Sequence, residues 1–174
     1  NEVIATVPTG DYPAALCYNP TNNKVYCTNR GSPSVTVIDG ETNCVITTVD
    51  AGGGALCYNP QNNKVYCANM YSTNVTVIDG ATDSVIANVA AGYWPYALCY
   101  NSTNNKVYCG SSGYVTEDST VTVIDGATNQ VLATLAVGNR PEVLHYDRQN
   151  NKVYCANLFG RSVSVIDGTT NQVV

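Results

Sequence analysis

The residues best suited to chemistry are eight cysteines and a single histidine. Four of these nine occupy one recurring place, after a leucine and before a tyrosine: Cys17, Cys57, Cys99 and His145. Three thiolates and an imidazole form a tetrahedral set that zinc accepts. Internal repetition would place equivalent residues together without any metal. We therefore expect no metal and no other cofactor, and keep zinc at these four residues as the alternative.

The spacing of the cysteines also raises the question of disulfides. Three pairs share one spacing: Cys17 and Cys27, Cys57 and Cys67, Cys99 and Cys109. If Asn19 pairs with Asn23 around the intervening turn, the two sulfurs share a face but lie diagonally, an awkward span for Cβ atoms that a bridge holds about 4 Å apart. A register slipped by one pair of residues would bring them opposite. Small buried thiols are the interpretation we favour, and disulfides stay open.

No catalytic residue can be assigned. The recurrent acids, Asp39, Asp79, Asp125 and Asp167, each precede a glycine, where Asp caps backbone amides of a turn. The sequence does not indicate a serine and an acidic residue that could act with His145, so a nucleophilic triad is not predicted. Neither a haem-attachment motif nor a phosphate-cradling glycine loop is found. We expect a protein that is not an enzyme.

Charge and hydropathy exclude two classes of partner. The net charge is −5 and the pI about 4.5, so the cationic surface that neutralises phosphates is missing and nucleic acid is not expected. No run of 18 apolar residues occurs, so no membrane span is expected.

These residues are carried by an internal repeat. The motif N-N-K-V-Y-C recurs four times, with lysines Lys24, Lys64, Lys106 and Lys152 spaced by 40, 42 and 46 residues. A second motif, V-x-V-I-D-G, follows each copy. Self-similarity at this period is typical of a repeat architecture.

Each repeat predicts four short strands and no helix. In the first repeat the strands are expected at residues 3–7, 14–18, 24–28 and 35–38, separated by turns rich in Asn, Pro and Asp-Gly. Both faces of the strands are apolar, which indicates sheets covered on both sides. The fold class is therefore all-β, a β-propeller of four four-stranded blades, with a β-solenoid as second choice.

The repeats also resemble a known family. K-V-Y-C-x-N, V-x-V-I-D-G and V-I-A-T-V together are similar to the YVTN-type β-propeller repeat, with Y-C-T-N at Tyr26 to Asn29 where the family has Y-V-T-N. The resemblance covers essentially the whole chain. It implies a binding or structural protein outside the cell or at its surface, since few members carry an active site; an enzyme or metal-binding propeller that uses the axial channel is the alternative.

Ring closure is the point on which the chain departs from that family. Such propellers usually have about seven blades, whereas residues 1–174 form one domain of four repeats. The last repeat stops at 171–174, where its outermost strand begins, and residues 3–7 have the sequence of that strand. We expect residues 3–7 to complete the last blade, within the chain, between chains, or as part of a longer propeller.

The least repetitive positions predict the binding site. Connectors between blades and loops after the second strand emerge at one end of a propeller, and the connector around Trp94 is two residues longer than that at Gly52 to Gly54. The third loop carries four extra residues and includes Tyr114, Glu117 and Asp118. Aromatic and arginine side chains are typical of binding hot spots. The predicted site is Tyr12, Trp94, Tyr96, Arg140 and Phe159, and the expected partner is a protein, a glycan or another copy of the chain.

Overall fold

The computed structural model describes residues 1–113 and 119–174. Tyr114, Glu117 and Asp118, which the sequence places in the third loop, lie outside the described residues. The strands in chain order are β1 Pro13–Asn19, β2 Lys24–Asn29, β3 Ser34–Asp39, β4 Val45–Val49, β5 Leu56–Asn59, β6 Lys64–Ala68, β7 Asn74–Asp79, β8 Val85–Ala90, β9 Pro95–Asn101, β10 Lys106–Ser111, β11 Thr120–Asp125, β12 Val131–Ala136, β13 Pro141–Asp147, β14 Lys152–Asn157, β15 Ser162–Asp167 and β16 Gln172–Val173.

The strands form four separate sheets, each built from four consecutive antiparallel strands. β-branched runs alternate with turns of Asn, Pro and Asp-Gly, so each repeat folds locally into one sheet. The predicted all-β fold of four propeller blades is confirmed. In the part of the chain that the structure describes, no helix has the length and apolarity needed to cross a bilayer.

The first turn of each blade sets a register that differs from the one expected. Asn19 pairs with Lys24, because its Oδ1 accepts hydrogen bonds from the backbone of Thr21 (2.9 Å) and Asn22 (3.3 Å), and Asn23 adopts a left-handed φ of 51°. The expected pairing of Asn19 with Asn23 is therefore wrong by one residue. A shift of one residue moves side chains to the other face of a sheet.

That register separates the cysteines of each hairpin. Cys27 lies opposite Leu16, whereas Cys17 lies opposite Tyr26, so the two sulfurs project from opposite faces of the sheet. All eight cysteines are free. The structure thus supports the interpretation of these residues as small thiols rather than disulfides.

The four sheets pack in a row through repeated apolar clusters. Inner strand β1 packs on β5, β5 on β9, and β9 on β13. Between the first two sheets, Tyr26, Val35 and Val37 of one meet Val65, Cys67 and Ile78 of the next. Equivalent residues fill the second and third junctions. Each of the two middle sheets therefore buries one face against its predecessor and the other against its successor, whereas the first and fourth sheets each bury one face.

The N-terminal segment does not complete the last blade of this chain. Residues 1–9 form no strand, and Val3 and Ile4 are 86% and 91% exposed. The outer position beside β15 is taken by β16, which pairs Val173 with Ile166. The expectation that residues 3–7 close the blade within one chain is corrected, because the chain's own residues 172–173 already occupy the start of that edge.

Candidate binding face

The two ends of the row of blades carry different structures. β1 begins at Pro13 opposite Asn29, the last residue of β2, so connectors and β2–β3-type loops emerge together. We call this the connector end. The opposite end, formed by the β1–β2-type and β3–β4-type turns, is called the hairpin end. All five predicted binding residues lie at or beside the connector end.

Three of the four connectors carry a bulky residue in the left-handed region. Tyr12, Trp94 and Arg140 have φ values of 53°, 60° and 58°, each directly before a proline. This conformation costs on the order of 1 kcal/mol or more for such residues. Backbone hydrogen bonds from the facing loops to their carbonyl oxygens hold it, for example Leu158 N to Arg140 O at 2.8 Å. The backbone conformation therefore sets the direction in which these three side chains leave the chain.

An aromatic cluster surrounds Trp94. Its ring packs edge-on against Tyr71 at a centroid distance of 5.7 Å and lies 6.3 Å from Tyr93 at a tilted angle. Tyr71 is 60% exposed, and Tyr93 is also exposed. Rings that share contacts lose little further freedom when a ligand stacks on them, so the cluster is prepared for an apolar or planar ligand surface.

Tyr96 takes part in a contact that spans the first and third blades. The guanidinium of Arg30 lies 5.5 Å from the Tyr96 ring centroid and donates to its hydroxyl at 3.1 Å. Arg30 passes over Gly53, where an added Cβ would lie 2.6 Å from the Arg30 Cα. Nε of Arg30 is buried and meets no acceptor among the described residues. It is a free donor beside the aromatic cluster.

Arg140 and Phe159 form a second pair, in the fourth blade. The guanidinium lies 4.7 Å from the centroid of the phenyl ring, a cation–π contact, while Nε of Arg140 donates to Glu142 at 3.0 Å. Phe159 remains 63% exposed. The carboxylate orients the guanidinium over the ring.

An open cavity of about 540 Å³ lies between the first and second blades at the connector end. Its lining residues are Tyr12, Pro13, Ala14, Arg30, Gly31 and Tyr71. Tyr12 and Trp94 are thereby linked through Tyr71, and Tyr12 and Tyr96 through Arg30. The sequence placed Arg30, Tyr71 and Tyr93 at this end without selecting them, because their role depends on contacts between blades.

The recurrent aspartates are turn caps. Oδ1 of Asp125 accepts from the backbone of Thr128 (2.7 Å) and Ala127 (2.9 Å) and from the Thr128 hydroxyl (3.0 Å). Hydrogen bonds from Thr128 and Ala127 hold the pKa of Asp125 below its ordinary value. Asp39, Asp79 and Asp167 have the same contacts and the same direction of pKa shift.

The residues considered for zinc do not form a metal site. Within residues 1–113 and 119–174 no three His, Cys, Asp or Glu side chains are grouped as metal ligands. Because the blades form an open row, Cys17 and His145 lie on its first and last inner strands rather than around a closed axis. Burial raises the pKa of the Cys17 thiol to about 11 and that of Cys109 to about 12, so both stay protonated.

The most regular contact between blades lies at the hairpin end and was not predicted from the sequence. Lys64 donates from Nζ to Gly126 O (2.9 Å), Ala127 O (2.8 Å) and Asn129 Oδ1 (3.0 Å) of the next blade. Lys24 and Lys106 make the equivalent bonds. Burial lowers the pKa of Lys64. The available signal was the joint recurrence of lysine and of Asn or Asp three residues after each D-G pair.

Comparisons with known proteins bear on the fold alone. No family model matches the sequence, and no curated protein matches it. Among solved structures, one titled Kuenenia stuttgartiensis Hydrazine Synthase is similar, with a TM-score of 0.83 and 20% sequence identity. The match covers 100% of this chain and 51% of that chain, so this chain spans about half of its length.

Proposed function

We propose that this protein is a non-enzymatic binding module of the YVTN type whose connector end binds a protein or a glycan at the cell surface or outside the cell. One observation carries the proposal: aromatic and arginine side chains that differ between repeats meet around one open cavity. The hairpin end, by contrast, repeats the aspartate cap, the lysine and the left-handed asparagine of the first turn in every blade. Variation concentrated at one end is what a binding surface on a repeated framework requires.

The chemistry of this face supports a ligand with ring or apolar surfaces and with hydrogen-bond acceptors. Exposed rings at Tyr12, Tyr71 and Tyr93 offer stacking surfaces for sugar rings or for apolar peptide side chains. The guanidinium of Arg30, which lines the cavity, suits a ligand with an acceptor, such as a carboxylate, a hydroxyl or a peptide carbonyl. A net charge of −5 disfavours nucleic acid.

Glycan-array and peptide-array binding, followed by calorimetry on the ligand found, tests the proposal. Trp94→Ala should weaken binding by about 2 kcal/mol, because an anchor ring is lost from the cluster, while folding is retained. Arg140→Ala tests whether the Arg140–Phe159 pair of the fourth blade contributes to binding. Gln130→Ala, an exposed change at the hairpin end, serves as the control and should leave affinity unchanged. Unchanged affinity in both Trp94→Ala and Arg140→Ala would place binding elsewhere.

A further inference from the structure

The three junctions between blades share one construction. On one side a blade presents Lys and Tyr from its second strand and two Val from its third. On the other side the next blade presents a D-G turn with its Asn or Asp, together with Val, Cys and Ile. In the first junction, Lys24 and Tyr26 both hydrogen-bond to Asp83, at 2.8 and 2.7 Å. Within residues 1–113 and 119–174, one half of this construction is left exposed on the first blade and the other half on the fourth.

The fourth blade presents the free donor half, which we call the tail face: Lys152, Tyr154, Val163 and Val165. Tyr154 is 37% exposed, whereas Tyr26, Tyr66 and Tyr108 are fully buried. Val163 is 59% exposed, whereas Val35, Val75 and Val121 are fully buried. Lys152 has no hydrogen bond from Nζ to any described residue, although Lys24, Lys64 and Lys106 each have three.

The first blade presents the free acceptor half, which we call the head face: Leu16, Tyr18, Val25, Ile38 and the turn at 39–43. Leu16 is 70% exposed, while Leu144 at the same place in the fourth blade is 8% exposed. Asn43 has a φ of 58°, matching 59°, 61° and 57° at Asp83, Asn129 and Asn171. The turn that receives lysine elsewhere is therefore already formed on the head face.

The edge of β15 in the fourth blade and the N-terminal residues 3–7 are also complementary. In the first blade β3 pairs with β4 as far as Val35 opposite Val49, but β15 pairs with β16 only at Ile166 and Asp167. Val163 and Ser164 thus have no strand on that side among the described residues. Residues 3–7, V-I-A-T-V, are exposed and closely match Val45 to Val49. By that equivalence, residue 7 belongs opposite Val163.

We propose that a second copy of this chain docks head to tail, so that the tail face of one copy packs on the head face of the other. Lys152 then donates to Gly40 O, Glu41 O and Asn43 of the partner copy, and residues 5–7 of that copy extend the edge of β15. This interface would continue the junction that the molecule already uses three times between its own blades. Two copies give eight blades, within the usual range for closed propellers.

The test is the mass of the purified chain by native mass spectrometry and light scattering, over a concentration series. We expect a dimer, and a filament would also be head-to-tail association. Val163→Glu on the tail face and Leu16→Glu on the head face should each give monomers. Both positions are exposed in the single chain, so folding is kept. Ile86→Glu, 46% exposed on an outer strand, is the matched control and should leave the mass unchanged.

Mixing the two variants separates this arrangement from any other dimer. The Val163→Glu chain keeps an intact head face and the Leu16→Glu chain an intact tail face, so the mixture should form a one-to-one complex. Asn43→Asp, which copies Asp83, should tighten association roughly two- to five-fold, and Lys152→Gln should abolish that gain. A monomeric wild-type chain at every concentration, or a dimer that survives either glutamate variant alone, would overturn the proposal.

Discussion

The hairpin end and the connector end are built from the same blades, yet they follow opposite rules. At the hairpin end every blade repeats the Asp cap and the left-handed Asn, and the lysine bonds recur at each junction. At the connector end the residues are Tyr12, Trp94, Arg140 and a run of three glycines. The hairpin end thus specifies how blades join, which leaves the connector end free to vary.

The largest effect should come from breaking a lysine bond set at a buried junction. Lys64→Met removes three hydrogen bonds and leaves Ala127 O without a donor among the described residues, while Gly126 O keeps only the Tyr66 hydroxyl at 3.3 Å, so unfolding should become easier by about 3 kcal/mol. Lys152→Met is the matched control, because Lys152 occupies the same place on the exposed tail face.

Urea unfolding in the monomeric Leu16→Glu background measures both changes. The control should cost less than about 0.5 kcal/mol. Equal losses at Lys64 and Lys152 would show that the lysine acts within its own blade rather than between blades.

At the connector end the sharpest constraint is steric. Gly53→Ala should cost about 2 kcal/mol, since its Cβ would meet backbone atoms of Arg30 at 2.6 Å and of Asn29 at 2.8 Å, which cannot move cheaply. Gly110→Ala is the control: its nearest neighbour would be 3.3 Å away, and Ala68 and Ala156 already occupy the equivalent place.

Thermal and urea unfolding measure the pair. A fully stable Gly53→Ala chain would mean that the Arg30 loop does not rest on this connector.

The fold was largely predictable, because its signals are local. β-branched runs and Asp-Gly or Asn turns specify strands within a few residues of each other. The turn register was not predictable from turn residues alone, since the backbone bonds to Asn19 Oδ1 shift it by one place. The position of the binding face at the connector end was also predictable, because it follows from the topology of the blades. The Arg30–Tyr96 contact does not, because it depends on how the first and third blades are oriented.

The Asp caps make the hairpin end sensitive to acid. The pKa of Asp125 is lowered in the folded state, so its carboxylate stabilises the fold above its unfolded pKa of about 4 and loses that contribution as pH falls through the folded pKa. The stability difference between wild type and Asp125→Asn should therefore be present at pH 7 and shrink below about pH 4. Urea unfolding from pH 7 to acid measures it. A difference that is constant with pH would contradict the cap role.

The smallest effect concerns a position at the hairpin end, beside the tail face, where the fourth blade departs from the other three. Asn19, Asn59 and Asn101 each donate from Nδ2 to an asparagine of the next blade, at 2.8 to 2.9 Å. Asp147 stands at this place in the fourth blade, and its carboxylate can only accept. Asp147→Asn should therefore tighten head-to-tail association, by roughly three-fold, because it restores the donor to Asn23 of the partner copy.

A double-mutant cycle with Asn23→Gly separates this hydrogen bond from the loss of a charge. Each copy carries a net charge of −5, so removing a carboxylate also reduces repulsion between copies. Salt screens that repulsion but not a short hydrogen bond. If the gain from Asp147→Asn persists at high salt and vanishes in the Asn23→Gly chain, the donor is responsible. A gain that disappears at high salt and is the same in the Asn23→Gly chain would contradict the hydrogen bond. It would show that Asp147 affects association only through its charge.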